Sequence, residues 1–492
     1  MNSAQTVAID YRRKWYVMAA VAMSIFLATI DGSIVNITLP TLVRELQTNF
    51  TTIQWVVLAY LLTLTTLMLG IGRLADIRGK KPIFVAGFVI FTLGSVLCAL
   101  STTVYWLIGF RVLQGVGGAM TLALGAAIVT EAFPGQERGR ALGILGSVVS
   151  LGVVTGPLVG GLLISAASWH WIFLVNLPIG IIGTIMAQRF VPATQPPGGQ
   201  SFDYLGAILL FVSLLALLLG LSLAQGLGFT HGLPLTLLGV WLVFLISFIT
   251  VELRVSDPVI DLRLFRNQLF SINLGTGFIT FVAISGVFLL MPFYLENILG
   301  YGIQLVGPLQ AVLPIMLGIM APIAGGLSDR YGARRITVIG LAALLVGYIA
   351  TTTLDANTSA LGYILRLLPI GLGMGIFQSP NNSAVMGSVP RERLGVVSGL
   401  LSVTRTLGQT VGIAVLGAVW ASRVAFHAHG TFEGSATDAP AAMQVAAMQD
   451  TFTVVVVLVA LALVVALWGW WQARNIPAMT TPSQPRVPVV TE

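Results

Sequence analysis

The stretch that decides the fold runs from Trp15 to Leu39 and reads WYVMAAVAMSIFLATIDGSIVNITL. It is long enough to cross a bilayer, which takes about 20 predominantly apolar residues. It holds one acidic residue, Asp31, nine positions before Pro40. If the helix ends at Pro40, Asp31 lies about 13 Å from that end at 1.5 Å per residue. A short side chain cannot reach water over that distance, so we predict a functional role for Asp31 rather than a charge that snorkels to the interface.

The composition is that of a polytopic membrane protein. Of the 492 residues, 56% are hydrophobic and only 9% are charged, whereas soluble domains carry about 25% charged residues. The net charge of +7 does not indicate a nucleic-acid partner, because the basic residues form short clusters between apolar runs, as topology signals do. The single cysteine, Cys98, lies in an apolar run and cannot form an internal disulfide.

Apolar runs between polar breaks predict an all-α fold with fourteen membrane-spanning helices. They are placed near residues 15–39, 52–72, 83–101, 103–131, 139–165, 170–190, 204–225, 233–252, 269–294, 305–327, 336–354, 359–386, 395–422 and 450–471. With this assignment, twenty of the 25 Lys and Arg residues lie on the side of the N-terminus, two on the opposite side and three within spans. The positive-inside rule therefore predicts that both termini are cytoplasmic. We expect the protein to lie in the cell (inner) membrane.

The chain repeats itself. LIGFRVLQGVGG (Leu107–Gly118) matches GYILRLLPIGLG (Gly362–Gly373), and GRLADIRGK (Gly72–Lys80) matches GLSDRYGAR (Gly326–Arg334). Two halves of six helices with an inserted helix pair follow the plan of secondary transporters, whose substrate site lies between the halves. We predict a first six-helix bundle at residues 1–200, an inserted helix pair at 201–266, a second bundle at 267–472 and a disordered cytoplasmic tail at 473–492.

The loop Gly72–Lys81 resembles the signature loop between helices two and three of the major facilitator superfamily. The resemblance implies a charge clasp that closes the cytoplasmic face, formed by Gly72, Asp76, Arg78 and Gly79, with a weaker second copy at Asp329 and Arg330. An anion such as Asp76 can pair with loop arginines or with a helix N-terminus.

A second motif, GVVTGPLVGG (Gly152–Gly161), resembles the one that marks the antiporters of the superfamily. Small residues at every fourth position permit close helix packing, and a proline bends the helix. We expect Gly152, Gly156, Pro157, Gly160 and Gly161 to form a packed hinge that limits proton leak.

Arg111 and Gln114 lie in the fourth span, and the depth of Arg111 matches that of Asp31. Buried charges are paired or neutralised, so we predict a switchable Asp31–Arg111 pair. In the family, helices one and four are neighbours and the arginine of this motif is associated with proton transfer.

Several further segments narrow the resemblance to the fourteen-helix drug:proton antiporter family. They are IDGSIVNITLP (Ile30–Pro40), QWVVLAY (Gln54–Tyr60), WHWIFLVNLP (Trp169–Pro178), FDYLG (Phe202–Gly206) and DLRLF (Asp261–Phe265). The resemblance covers most of the chain and implies a multidrug efflux transporter.

Polar and aromatic residues within the spans are candidates for a substrate cavity. We name Asn36, Gln54, Trp55, Tyr60, Gln114, Phe288, Met291, Glu296, Phe377, Gln378 and Asn381. Packing is the alternative for each aromatic or Met residue. Glu296, near the outer end of the ninth span, is either solvated or a second site for protons or cations. Arg366 and Arg405 either order the second half or bind an anionic group.

The sequence predicts a proton-coupled antiporter that exports amphipathic, cationic compounds by alternating access. A proton-coupled symporter or uniporter for a nutrient is the alternative, disfavoured by the Gly-Pro motif. The four histidines have no metal-ligand spacing and no phosphate-binding loop is found, so no metal and no cofactor other than the coupling proton are predicted. A membrane enzyme would need clustered catalytic acids or histidines at one membrane face, and none is seen in the sequence, so no enzyme activity is predicted. The expected partners are a small-molecule substrate and the lipid bilayer, with the chain acting as a monomer.

Overall fold

The structure is a computed structural model that describes residues 13–134, 137–193, 203–228, 231–255, 260, 262–389, 394–428 and 434–475. The helices are α1 (Lys14–Glu45), α2 (Phe50–Arg78), α3 (Lys80–Ala99), α4 (Val104–Ala132), α5 (Arg138–Ala166), α6 (Trp171–Leu174), α7 (Asn176–Phe190), α8 (Tyr204–Leu227), α9 (Gly232–Glu252), α10 (Gln268–Phe293), α11 (Ile303–Tyr331), α12 (Ala333–Thr351), α13 (Ala360–Gly387), α14 (Leu394–His427) and α15 (Ala441–Asn475). Fourteen spans in the described residues are long and apolar enough to cross a membrane, with α6 and α7 together making one of them. The predicted fold class, an all-α protein with fourteen spans, is confirmed.

The first helix is longer than predicted. It continues through Pro40 to Glu45, so the expected end at Pro40 is wrong. Proline removes one backbone hydrogen bond, but neighbouring helices compensate for this loss in membrane proteins. Asp31 therefore lies near the middle of a 32-residue helix rather than in its last third.

The sixth span also differs from prediction, because it is interrupted rather than continuous. α6 ends at Leu174 and α7 begins at Asn176. Pro178 has no N–H to donate to the carbonyl of Leu174 four residues earlier, which explains where the helix breaks. The break lies beside Asn176, which is fully buried.

The last two helices also exceed their predicted spans. α14 extends to His427 and α15 begins at Ala441, because polar turns at their ends continue as helix outside the apolar run. α15 reaches Asn475, three residues into the predicted tail. The remainder of that tail lies outside the described residues.

Helices α1–α7 and α10–α15 pack as two groups that meet along two seams. At one seam α5 contacts α11, and at the other α2 contacts α14. The inserted helix α8 packs on both α2 and α14, and α9 packs on α8. In the described residues the inserted pair therefore covers the α2–α14 seam.

We call the face at which α1 begins and α15 ends the terminal face, and the opposite face the distal face. At the distal face the halves are joined by an ion pair, Arg44 Nη2 to Glu296 Oε2, at 2.8 Å. Beside it the ring of Phe50 contacts those of Phe293 and Trp420, with centroids 5.2 and 4.6 Å apart. These contacts close the distal face in this conformation.

Candidate functional site

Asp31 lies at the centre of a buried polar cluster inside the first half. Its Oδ2 accepts a hydrogen bond from Arg111 Nη1 at 2.5 Å. Its Oδ1 accepts from the side-chain amides of Gln114 at 2.8 Å and Asn176 at 3.1 Å. Both amides also donate to Ser95 Oγ, at 3.2 and 3.0 Å. The carboxylate thus receives three donors from two helices that are distant from it in sequence, α4 and α7.

Arg111 is held from a second side. Its Nε donates to the carbonyl of Val56 at 2.9 Å, and its Nη1 also donates to Gln114 Oε1 at 2.6 Å. Its guanidinium lies 4.2 Å from the centroid of the Tyr60 ring, a geometry that favours a desolvated cation. A neutralised Asp31 would therefore leave Arg111 with several of its partners.

The cluster has no access to water in this conformation. Asp31, Arg111, Gln114 and Asn176 are each 0% exposed. Moving single charges out of water costs several kcal/mol each, so a buried ion pair persists only with close geometry and additional hydrogen bonds. Arg111 Nη2 and Asn176 Oδ1 nevertheless lack partners in the described part of the chain. The cluster is thus able to exchange hydrogen-bond partners.

The glycines of the fifth span place α1 next to α5. Methyl groups added at Gly152 and Gly156 would collide with the side chains of Thr29 and Ser33, the α1 residues two positions either side of Asp31. Ser33 Oγ also donates to the carbonyl of Gly152 at 3.2 Å. The glycine face of α5 therefore fixes the segment of α1 that carries Asp31.

The same motif also faces the second half. A Cβ on Gly161 would lie 3.0 Å from the carbonyl of Ile303 and 3.5 Å from the Cα of Gly307 on α11, and the carbonyl of Pro157 faces Gly307. Gly160 packs on α1, against Ile34 and Ile37. The motif is thus in contact with α1 on one side and with the opposite half on the other.

The predicted clasp is only partly described. Gly79 has a φ of 91° and joins α2 to α3, and Gly332 joins α11 to α12 with a φ of 88°, a region in which only glycine is unstrained. Arg78 and Arg330 are exposed, and Gly72 is half-buried. The side chains of Asp76 and Asp329 lie outside the described residues. Each half therefore has a matching glycine turn at the terminal face.

The candidate cavity residues do not form one group. Tyr60 and Gln114 belong to the Asp31 cluster. Gln54 is buried where α2 meets Gly417 of α14. The remaining half-buried candidates are Asn36, Trp55, Phe288 and Gln378.

Three candidates in the second half are buried between helices. Met291 and Phe377 are 0% and 1% exposed within the apolar core, and Asn381 donates to the carbonyl of Asn273 at 3.1 Å. In this conformation they face neighbouring helices, and their place in a substrate cavity stays a prediction.

Glu296 is not solvated. Its side chain is only 5% exposed, and it pairs with Arg44 of the other half. Glu131, an interfacial charge at the end of α4, pairs with Lys80 of α3. Glu296 therefore joins the two halves.

Sequence reasoning did not identify Asn176 and Ser95 as members of the cluster. Asn176 interrupts an apolar run two residues before Pro178, and a polar residue beside a helix-breaking proline was an available signal. Ser95 carried no signal, because serine is common in membrane helices and commonly bonds its own backbone.

Comparison with known proteins assigns the family. The sequence model of the Major Facilitator Superfamily matches residues 21–413. The chain is 34% identical to the riboflavin transporter RibZ of Clostridioides difficile, an alignment that covers 85% of this chain and 90% of RibZ. It is 31% identical to the multidrug transporter protein MdtP of Bacillus subtilis, covering 84% and 76%, and 32% identical to the multidrug resistance protein Stp of Mycobacterium tuberculosis, also covering 84% and 76%.

The fold agrees with this assignment. The crystal structure of a bacterial homologue of the human lysosomal transporter Spinster, in an inward-facing and unoccupied conformation, superposes with a TM-score of 0.66 at 18% identity, covering 95% of this chain and 99% of that one. Fourteen spans, a buried charge pair and these relatives lead to one conclusion: the chain belongs to the Major Facilitator Superfamily and is a membrane transporter.

Proposed function

We propose that this transporter is a proton-coupled antiporter that exports amphipathic, cationic compounds across the cell membrane, with the terminal face in the cytoplasm. The observation that carries the proposal is the fully buried Asp31–Arg111 pair. An intramembrane ionisable residue is costly and most often marks an ion pathway. Asp31 is a fully buried acid paired with a fully buried cation.

The proposed proton step acts on the charge pair. When the distal face is open, Asp31 accepts a proton and becomes neutral. The attraction to Arg111 is then lost, and an unpaired guanidinium in a low-dielectric site favours rearrangement. Arg111 still donates to the Val56 carbonyl and to Gln114. These two bonds limit how far it moves.

The proposed transmission runs through α5. A shift of α1 at Thr29 or Ser33 presses on Gly152 and Gly156, and the other side of α5 contacts Gly307 of α11. Because close-packed interfaces behave as two-state rather than continuously deformable elements, a local change at Asp31 can bias the relative position of the halves. All the hydrogen bonds of Asp31 come from the first half, so this mechanism couples proton and substrate indirectly.

The relatives named as multidrug transporters support the proposed substrate class, and the Gly-Pro motif of α5 supports export. A second candidate, proton-coupled or uncoupled transport of a nutrient, is favoured by the relative named as a riboflavin transporter. The two candidates differ in direction and in substrate: a nutrient transporter would carry a flavin or similar metabolite and not a panel of cations.

Everted membrane vesicles test the proposal. We expect lipophilic cations to release protons from acidified vesicles that contain the wild-type protein, seen as recovery of a quenched pH-sensitive dye. Asp31→Asn should abolish that release. The matched control is Glu45→Gln, which removes an exposed acid from the same helix and should leave the release intact.

Two results would overturn the proposal. One is full proton-driven export by Asp31→Asn. The other is accumulation of riboflavin without any response to the cation panel, which would favour the nutrient transporter instead.

A further inference from the structure

A second polar site lies far along the chain from Asp31, at the terminal face of the second half. It is a cavity of about 470 Å³ between the start of α10, the α11–α12 turn and the ends of α13 and α15. The residues that matter to its chemistry are Asn273, Tyr331, Gly332, Arg334, Arg335 and Trp470. None of them belongs to the Asp31 cluster.

The cavity is suited to an anion. Arg334 and Arg335 contribute two exposed cations from the first turn of α12. That helix begins directly after Gly332, so its free backbone N–H groups lie at the same wall, and helix N-termini favour negative groups. No acidic side chain lies among the described residues that line it.

An unpaired polar side chain points to the same ligand class. Asn273 is only 9% exposed, and its backbone carbonyl accepts from Asn381. Within the described part of the chain its side-chain amide makes no hydrogen bond, yet it lines the cavity. The amide is open to the cavity rather than sealed in the core, so it is available to donate to a ligand with acceptor oxygens.

The position of the cavity indicates where the anion comes from. Trp470 lies in its wall, and the neighbouring Trp468 and Trp471 are 47% and 62% exposed. Tryptophans concentrate at the headgroup level of the bilayer. Basic pockets between membrane helices on the cytoplasmic side bind anionic headgroups.

We propose that this cavity binds the headgroup of an anionic glycerophospholipid. The phosphate lies against Arg334, Arg335 and the start of α12, and the amide of Asn273 donates to a headgroup oxygen. The acyl chains lie along the exposed end of α15. The ligand chemistry is that of a phosphate ester, and attachment to the bilayer distinguishes it from free phosphate.

Lipid titration of the full-length protein in detergent, read by native mass spectrometry, tests this. We expect phosphatidylglycerol to bind at least tenfold more tightly than phosphatidylcholine. Arg334→Gln combined with Arg335→Gln should remove that preference, since each arginine near a membrane surface contributes roughly fivefold. Asn273→Leu should weaken phosphatidylglycerol binding while leaving phosphatidylcholine unchanged.

The matched control is Arg254→Gln with Arg266→Gln, which removes the same charge from exposed positions at the same face, outside the cavity. It should keep the preference, with unfolding temperatures recorded for every variant to confirm folding. Equal loss in both double variants would overturn the site in favour of diffuse attraction. Displacement of phosphatidylglycerol by millimolar inorganic phosphate would overturn the lipid assignment, because a soluble anion would then fill the cavity as well.

Discussion

Asp31 and Arg111 form a buried pair in which each side chain stabilises the charge of the other. Removing one member of a buried pair leaves an uncompensated charge, at a cost of about 3–5 kcal/mol, whereas removing both is far milder. Both side chains are 0% exposed and 2.5 Å apart, so they are placed for strong coupling.

We expect Arg111→Gln to lower the unfolding temperature markedly and Asp31→Asn/Arg111→Gln to recover much of the loss. Thermal unfolding in detergent of the wild type, the two single variants and the double variant gives the coupling free energy. Strictly additive effects would show that the two side chains do not interact energetically.

The sequence predicted the Asp31–Arg111 pair but placed the end of the first helix incorrectly. The Asp31–Arg111 pair followed from an acid and a base at similar depth, together with the resemblance, which implies that helices one and four are neighbours. Gln114 was predicted only as a cavity residue. The helix end used for that depth was wrong, because tertiary packing carries α1 through Pro40. Asn176 joins the cluster only because the chain folds α7 against α1 and α3, which local sequence does not encode.

Among the helices, α5 packs closely against the segment of α1 that carries Asp31. We expect Gly156→Val to displace α1, because a Cβ there would collide with Ser33 and lie 2.9 Å from the backbone nitrogen of Ile34. Overpacking of this kind costs about 1–3 kcal/mol. Transport in vesicles should fall more than the amount of folded protein in the membrane.

Gly146→Val is the control for this substitution. It lies on the same helix, and a Cβ there would meet nothing within 4 Å. If both variants transport equally well, α5 does not position α1 for function.

Motif spacing predicted that the α5 glycines are packing positions, but not what each one packs against. Gly156 and Gly160 face α1, while Gly161 faces α11. Adjacent positions on a helix point in directions about 100° apart, and only the assembled fold shows which neighbour lies in each direction.

For the molecule as a whole, the Arg44–Glu296 ion pair favours the arrangement of the halves in which the distal face is closed. We expect Glu296→Gln to weaken the distal closure, since it removes the charge that holds Arg44 at 2.8 Å. Spin labels at the exposed positions Gln47 and Asn297, on opposite halves, should then report a larger fraction of long distances.

Asp450→Asn serves as the reference variant. It breaks an ion pair with Arg423 that lies within the second half and should leave the distance distribution unchanged. An identical distribution for Glu296→Gln and the wild type would show that the aromatic contacts of Phe50 alone keep the face closed.

The internal repeat predicted two matched groups of helices but not the conformation of the molecule. The state of the distal face depends on pairs such as Arg44–Glu296, which join residues 252 positions apart. Glu296 was read as a solvated or proton-binding acid, because a sequence shows that a charge is near a helix end and not what lies opposite it.

The buried charge pair has an electrical consequence for the proposed cycle. Deprotonated, Asp31 and Arg111 sum to zero, whereas protonation leaves one net positive charge in the first half. One elementary charge moving through the field is worth about 2.3 kcal/mol per 100 mV. During efflux of an uncharged solute, an interior-negative voltage should therefore accelerate the return of the proton-loaded carrier. When a monovalent cation leaves in exchange for the proton, the voltage should have little effect on transport. Clamping the vesicle voltage with potassium and valinomycin would measure this contrast.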